Sequence, residues 1–439
     1  MSRRKARGAR EPVIVEISDL SHEGRGVGRI DGKTVFVHGA LPGEKVRARV
    51  IKRRGRFDEA ETTEVLEPSD QRVAPRCPHF GVCGGCSLQH MPEQAQLQHK
   101  QSVLLELLWH HAQTKPEKTA APVRSPQWGY RRKARLGVKY VDKKGGVIMG
   151  FRERAKPYIT DCHQCDVLDE RVSALLDTLR GTFNQLSVAA RIPQLEIAIT
   201  DNRVAMVIRH LDSFSDSDLD GLQRLAQAAE LDFYLQSGGL DTVVPLTGNA
   251  QPLSYDIAGV TLKFEPFDFT QVNQVVNEKM VARAIELLAP TQADYIADYY
   301  CGIGNFSLPL GRYAGRVIGV EGDAGLIERA RANAEMNGIS TAGFACADLA
   351  DPTAIAALKI SGHNKVLLDP PRAGAAELLA HADFSAVEQL VYVSCNPVTL
   401  ARDTNTICHQ LGFRLVEAGI LDMFPHTAHV ESMAYFERS

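Results

Sequence analysis

Lys365-Val366-Leu367-Leu368-Asp369-Pro370-Pro371-Arg372, and after it Leu390-Val391-Tyr392-Val393-Ser394-Cys395-Asn396-Pro397, decide how this chain folds. Each is a short apolar run of β-forming residues that stops at a proline. Proline removes a ladder donor and fixes φ, so neither strand runs straight on. The turns leave an acid and a thiol at one end of the strands. In an open α/β sheet, the carboxyl edge of the strands is where ligands bind.

Outward from this pair the same texture continues. Tyr295–Tyr299, Val317–Val320 and Gly343–Ala347 read as strands, with helical periodicity between them. Strands alternating with helices predict a parallel, doubly wound sheet, Rossmann-like, from about residue 266 onward. Asp298-Tyr299-Tyr300-Cys301-Gly302-Ile303-Gly304-Asn305 joins the first strand to a helix. Its glycines let backbone approach a ligand closely. Ser307 stands where a dinucleotide fingerprint needs its third glycine. Glu321 ends the next strand, where an acid can accept both ribose hydroxyls of an adenosine, and Asp348 ends the third, where it can read the adenine amine. Taken singly, either acid reads equally well as a helix cap. A glycine loop, two acids and Asp-Pro-Pro in this order suit S-adenosylmethionine better than NAD.

Asp-Pro-Pro alone would allow methylation of an exocyclic nitrogen. Arg372 and the cysteine on the following strand point elsewhere. Carbon 5 of uracil is too unreactive to take a methyl group unaided. A thiolate adding to C6 makes C5 enolate-like, and a base must then remove the C5 proton so that the thiolate can leave. Cys395 is the expected nucleophile. Glu431, in Phe424-Pro425-His426-Thr427-Ala428-His429-Val430-Glu431, is the expected base. A buried apolar role is the usual fate of cysteine, but the Asn396-Pro397 turn argues for an exposed thiol. His426 and His429 read as structural hydrogen-bonding groups.

These segments, with Asp422-Met423-Phe424-Pro425-His426-Thr427-x-His429-Val430-Glu431 and Phe269-Thr270-Gln271-Val272-Asn273, resemble the RNA uracil-5-methyltransferase family. The resemblance implies Gln271, Tyr300, Asn305, Glu321, Asp348 and Asp369 at the S-adenosyl-L-methionine site, Cys395 as nucleophile and Glu431 as base. Tyr300 departs from the family's usual phenylalanine, and its hydroxyl needs a partner.

Ahead of the catalytic part the texture is different. Residues 1–10 hold five basic residues and no acid, and read as a disordered arm. Val13–Ile17, Thr34–Val37, Glu44–Val50 and Glu61–Leu66 read as short strands separated by glycine turns at Gly24, Gly26, Gly28, Asp31-Gly32 and Pro42-Gly43. They predict a small closed barrel, with Arg47, Arg49, Arg53 and Arg54 as a basic face. Gly24–Arg29, Leu41-Pro42-Gly43-Glu44 and Glu64–Pro68 resemble a TRAM domain, an OB-like RNA-binding barrel.

Cys77, Cys83 and Cys86 precede Cys162 and Cys165. By spacing alone these thiols suit zinc, an iron–sulfur cluster or, at Cys162-x2-Cys165, a redox pair. Cys77–His90 resembles the cluster segment of the family's iron–sulfur members. The Gln164-Cys165-Asp166-Val167-Leu168 context resembles that of their fourth ligand. The resemblance implies a [4Fe-4S] cluster on Cys77, Cys83, Cys86 and Cys165, with Cys162 a bystander. Trp128-Gly129-Tyr130-Arg131-Arg132-Lys133-Ala134-Arg135 mixes aromatic and basic residues in the way that suits unpaired bases.

The expected division is a basic arm (1–10), a TRAM barrel (11–68), a central α+β domain bearing the iron–sulfur cluster (69–265) and a methyltransferase domain (266–439), with a helix over 93–113 packing on the last. Residues 1–76 carry 17 Lys/Arg against 12 Asp/Glu, and residues 121–160 carry 11 against 2, in a chain of net charge −3. Basic front pieces on an acidic body suit a polyanionic partner. No apolar run is long enough to cross a bilayer and no secretory signal is read, so a cytoplasmic protein with reduced or metal-bound cysteines is expected. Barrel, cluster and catalytic domain together resemble the large-subunit ribosomal RNA members of the family. They imply 23S ribosomal RNA as partner, a single-stranded or flipped-out uridine as target, no membrane, and a monomer. A transfer RNA uracil-5-methyltransferase with extra domains and a non-enzymatic RNA assembly factor are the alternatives.

Overall fold

The computed structural model describes residues 11–248 and 252–439, so the arm expected over 1–10 lies outside the described residues. The chain forms two compact units. One comprises residues up to Lys100 with Glu153–Lys156 and His426–His429, and the other Gln101–Arg152, Pro157–Pro425 and Val430–Ser439.

In the first unit, β1 (Val13–Leu20), β2 (Gly26–Ile30), β3 (Lys33–His38), β4 (Lys45–Arg53) and β5 (Phe57–Glu67) close a barrel in the order β1-β2-β3-β5-β4. Alternation sends Val15, Ile17, Val35, Val37, Val46, Ala48 and Ala60 inward as its core. The Gly24–Arg29 stretch, expected as turns, is largely strand β2. A Cβ on Gly28 would lie 2.5 Å from Val15 and 2.6 Å from the Glu16 carbonyl, so only glycine lets β2 pass β1 this closely. The expected basic face on β4 is also corrected. Its cations stand opposite acids of β5: Arg47 lies 2.9 Å from Glu64, Lys45 3.4 Å from Glu67, and Arg49 pairs with Glu61.

Helix α1 (Glu93–Ala112) carries the chain from the first unit into the second. There, β6 (Lys118–Thr119), β7 (Lys133–Val141), β8 (Gly146–Gly150), α2 (Leu176–Gln185), β9 (Gln194–Ile199), β10 (Val204–Arg209), α3 (Asp216–Ala228), β11 (Leu231–Gln236) and β12 (Val243–Pro245) follow. Strands β7 to β12 make a six-stranded sheet in the order β12-β11-β10-β9-β7-β8. The hairpin β13 (Leu253–Ile257) and β14 (Val260–Phe264) leads to α4 (Gln274–Leu288).

The remaining elements are β15 (Tyr295–Tyr299), β16 (Arg316–Glu321), α5 (Ala324–Met336), β17 (Ala342–Cys346), β18 (Lys365–Leu368), β19 (Gln389–Ser394), α6 (Pro397–His409), β20 (Phe413–Leu421) and β21 (Glu431–Arg438). They form an eight-stranded sheet, β17-β16-β15-β18-β19-β21-β20-β6. The strands β15 to β19 pair in parallel, and β21 enters antiparallel between β19 and β20. All of β18 and nearly all of β19 are buried, as expected of central strands covered on both faces. Among the described residues no helix is long and apolar enough to cross a membrane.

Candidate active site

The register of the last strands builds the site. Ser394 of β19 pairs with Ser432 of β21 in antiparallel sense. Cys395 directly follows Ser394 and Glu431 directly precedes Ser432, so thiol and carboxyl lie at the same end of this strand pair. The β18 strand lies parallel on the other side of β19, with Leu368 beside Tyr392, and hands over to Asp369. Thiol and carboxylates therefore gather at one end of three adjacent strands. Burial pushes the Cys395 thiol up to about 11; Glu431 and Asp369 add to the rise and Arg372 opposes it. Burial, then Asp369, raises the Glu431 carboxyl to about 8, again with Arg372 opposing.

Helix α6 starts directly after Cys395 and holds the Asp-Pro-Pro-Arg loop in place. Asn396 caps the helix, its side chain accepting from Val398 N–H, and its amide donates to the Arg372 carbonyl at 2.9 Å. Arg402 donates to the Ala373 carbonyl at 2.9 Å. The buried Asp403 accepts from Ala375 N–H at 2.7 Å and from the Tyr392 hydroxyl at 2.6 Å. A Cβ on Gly374, whose φ is +81°, would lie 2.6 Å from Asp403, so glycine is required there.

The glycine loop lies beside these strands. Tyr300 N–H and Cys301 N–H both donate to the Val320 carbonyl, at 2.8 and 3.1 Å, folding the loop over the end of β16. Tyr300 has a φ of 68° and Gly302 one of 55°. A Cβ on Gly302 would meet nothing within 4 Å, which leaves open space against bare backbone. Glu321 binds this loop to the next: one oxygen accepts from Gly302 N–H at 3.2 Å, the other from Gly322 N–H at 2.7 Å and Asp323 N–H at 3.2 Å. Asp348 is exposed and accepts from Ala350 N–H at 2.9 Å.

Asn305 is held by residues that the sequence did not single out. It exchanges amide hydrogen bonds of 3.0 Å with Asn277 of α4, and its oxygen also accepts from the Tyr255 hydroxyl at 2.9 Å. Gln271 is half-buried on a strap before α4. Asp268 closes the strap by accepting from Glu265 N–H at 2.7 Å and pairs with Arg329 at 2.7 Å. Within the Trp128–Arg135 segment, expected to stack on bases, Arg132 and Lys133 hold this strap and Tyr130 is taken up by packing. Tyr130 is buried with its hydroxyl on the Pro425 carbonyl, Arg132 N–H donates to the Val272 carbonyl at 2.8 Å, and Lys133 reaches the Pro266 carbonyl.

Asp298 was also passed over. It is fully buried, accepts from Ser307 through one oxygen, and its other oxygen has no partner among the described residues. Burial lifts it to about 7, with Asp369 and Glu321 adding to the rise. Burial and Glu321 lift Asp369 to about 7 as well. A group of acids held above their ordinary range beside an open glycine loop calls for a positive charge. The sulfonium and ammonium of S-adenosylmethionine fit that demand.

The cysteines expected at the metal centre are divided between the two units. Cys77, Cys83 and Cys86 belong to the first unit and Cys165 to the second. Among the described residues no group of three or more His, Cys, Asp or Glu side chains is arranged to hold a metal ion, so the structure does not support a cluster-bearing domain. Cys162 is buried in the apolar core around β7 and β8.

The family described as tRNA (Uracil-5-)-methyltransferase matches residues 92–439, and the TRAM domain matches residues 7–62. A protein of Alkalilimnicola ehrlichii named 23S rRNA (uracil(1939)-C(5))-methyltransferase RlmD is 47% identical, over 100% of this chain and 99% of its own length. Proteins of the same name from Hahella chejuensis and Legionella pneumophila are 46% and 44% identical, over 100% and 96% of this chain and the same shares of their own lengths. The Pyrococcus abyssi tRNA (uracil-54, C5)-methyltransferase, solved with S-adenosyl-L-homocysteine, shares the fold: TM-score 0.73 at 22% identity, covering 97% of this chain and 100% of that one. Residues 92–439 carry the catalytic sheet with Cys395 and Glu431 at one end of the β19–β21 pair, and on that span the chain belongs to the tRNA (Uracil-5-)-methyltransferase family.

Proposed function

We propose that this chain transfers a methyl group from S-adenosyl-L-methionine to C5 of one uridine of 23S ribosomal RNA, the uridine named in its relatives as 1939. One observation carries the chemistry: a thiol and a carboxyl lie at one end of the β19–β21 pair, within electrostatic reach of each other and of Asp369. The ribosomal substrate is supported by the full-length relatives and the N-terminal barrel. A target base must leave its stack to expose C6.

Cys395 adds as thiolate to C6, and the C5–C6 π electrons move toward C5 and the O4 enolate. Bound S-adenosyl-L-methionine supplies an electrophilic methyl group to that carbon. Glu431 as carboxylate removes the C5 proton, the C5–C6 double bond re-forms and the C6–S bond breaks. Asp298 and Asp369 offer negative charge to the cationic cofactor, Glu321 meets its ribose, and Gln271, Tyr300, Asn305 and Asp348 complete its site. Gly302 leaves backbone bare for it. The chain acts on RNA as a monomer in the cytoplasm.

A [4Fe-4S] cluster on Cys77, Cys83, Cys86 and Cys165 rests on spacing and an all-thiolate donor set, with Gly85 N–H donating to Cys83 Sγ at 3.3 Å in the first unit. It takes no part in the steps above. Iron analysis of anaerobically purified protein tests it: four iron atoms per chain support it, and none refutes it.

The test of function is mass mapping of 5-methyluridine in 23S RNA from cells lacking the protein, with methyl transfer by purified protein restoring it. Transfer to purified transfer RNA alone would move the reading to the transfer RNA alternative. No transfer to either, with RNA still bound, would move it to an assembly factor.

A further inference from the structure

An aspartate inside a helix competes with the backbone for hydrogen bonds, so Asp403 does not serve α6 itself. It is nonetheless only 1% exposed. A carboxylate is kept at such a depth where donors surround it. Asp403 draws them from three segments. One oxygen accepts from Ala375 N–H at 2.7 Å and from the Tyr392 hydroxyl at 2.6 Å, and the other accepts from Arg402 Nε at 2.8 Å. Tyr392 is fully buried, so its hydroxyl depends on this acceptor.

Asn396, Thr399 and Asp403 recur at helical spacing, which turns one face of α6 toward residues 369–375. The Arg372 carbonyl accepts from the Asn396 amide at 2.9 Å and from the Thr399 hydroxyl at 3.3 Å. The Ala373 carbonyl accepts from Arg402 at 2.9 Å. This loop carries Asp369 and Arg372. Strand β19 carries Tyr392 three residues before Cys395. Asp403 holds loop and strand on the same carboxylate. A buried polar network whose members are all paired admits one arrangement of the segments it joins.

We propose that Asp403 is a positioning residue for methyl transfer: by holding Tyr392 and Ala375 together, it fixes Cys395 relative to Asp369 and Arg372 in the geometry that addition to C6 requires. The proposal rests on the methyltransferase reading and deepens it. The carboxylate is engaged by its three partners, so it acts through them and not on the substrate. A displacement of about 1 Å among reacting groups is enough to cost about a hundredfold in rate.

The test uses the full-length protein, S-adenosyl-L-methionine and a 23S RNA transcript spanning the proposed target, made with 5-fluorouridine in place of uridine. Fluorine at C5 cannot leave as a proton. Once Cys395 has added to C6 and C5 has taken the methyl group, the protein–RNA bond therefore persists. Denaturing gels give its single-turnover rate at saturating RNA and cofactor. Asp403→Ala is expected to slow this rate by about a hundredfold. Its half-saturating RNA concentration and S-adenosyl-L-homocysteine affinity should stay within about threefold of wild type. Asp403→Asn keeps an oxygen for Ala375 N–H and the Tyr392 hydroxyl, and should return the rate to within about tenfold of wild type. Tyr392→Phe cuts only the link to β19 and should lose about tenfold, the worth of one hydrogen bond to a charged group.

Asn364→Ala measures lost stability alone. Asn364 accepts from Tyr295 N–H at 3.0 Å and donates to Asp294 at 2.7 Å, at the opposite end of β18 from Asp369. It should melt at a lower temperature and react at the wild-type rate. A wild-type rate in folded Asp403→Ala or Tyr392→Phe, an Asp403→Asn rate as low as that of Asp403→Ala, or an equal loss in Asn364→Ala would overturn the assignment. If Asp403→Ala does not fold, Tyr392→Phe decides: a tenfold loss supports the assignment and a wild-type rate overturns it. Wild-type protein that forms no adduct and transfers no methyl group would overturn the enzymatic reading itself, a result distinct from a failure confined to the variants.

Discussion

Glu431 and Cys395 lie at one end of the β19–β21 pair, each next to a member of the Ser394–Ser432 register pair, and the Glu431 charge helps to raise the Cys395 thiol. Antiparallel entry of β21 is what makes this possible. A parallel strand would deliver its C-terminal end to the thiol, whereas β21 delivers its first residue. Adding to C6 and removing the C5 proton are steps on adjacent ring atoms. Groups at one end of a strand pair can serve both without a large movement.

Loss of either group should stop the cycle at a different point. Cys395→Ala removes the bond to C6, so methyl transfer should fall by at least about a thousandfold, with no RNA adduct. Glu431→Gln keeps the thiol and removes the base. Turnover should fall by a similar factor, but a covalent protein–RNA complex should build up with unmodified substrate. A denaturing gel with labelled RNA reads both, and an adduct at another side chain would contradict the assignment.

The raised values make the reaction pH-dependent. Glu431 must be ionised to act as a base, and it titrates near 8 in the ligand-free protein, with Cys395 near 11. The kcat/KM for methyl transfer should climb from pH 6 to 9, by roughly tens of fold, in a profile that belongs to the coupled pair. The limb near pH 8 should be missing from Glu431→Gln single-turnover adduct formation. A profile flat above pH 6 would show that Glu431 is already ionised.

Stability should respond in the opposite direction. Asp298 titrates near 7 in the fold but at its ordinary lower value when unfolded. The folded protein thus keeps a proton that the unfolded chain has released. Stability from this group is fully present below about pH 4 and is lost as pH rises through 7. Asp369 and Glu431 have the same sign. Ligand-free wild type should therefore melt at a lower temperature at pH 8 than at pH 5. Asp298→Asn should melt several degrees above it at pH 8 and close to it at pH 5. Calorimetry at the two pH values checks the sign.

The strands that end at Asp369 and Cys395 could be read from sequence because buried parallel strands are short apolar runs and their prolines mark where they stop. The acid ending β16 was legible for the same reason. Three features were not. The β4 arginines looked like a basic face because cross-strand pairing with Glu61 and Glu64 depends on register, which the sequence does not display. Tyr130 looked like a stacking residue because burial depends on what packs over it. Asn277 and Tyr255 reach Asn305 from other elements, across separations that no local pattern encodes.

That amide network gives the last expectation. Glu321 and the Asn277–Asn305 pair touch the same glycine loop in different ways. Glu321 accepts three backbone N–H bonds and would also meet the cofactor's ribose, so Glu321→Ala should remove contacts from ligand and loop together. S-adenosyl-L-homocysteine binding should weaken by about a hundredfold, the loss expected when charged hydrogen bonds go. Among the described residues the Asn277 side chain hydrogen-bonds to Asn305 alone, so Asn277→Ala leaves the ligand's own partners in place and frees the loop. Affinity should fall by about tenfold, mainly through a faster off-rate, because the loop must be ordered each time ligand binds. Titration calorimetry with stopped-flow displacement separates the two. Equal losses would mean that Asn305 is held for contact with the ligand rather than for the shape of the loop.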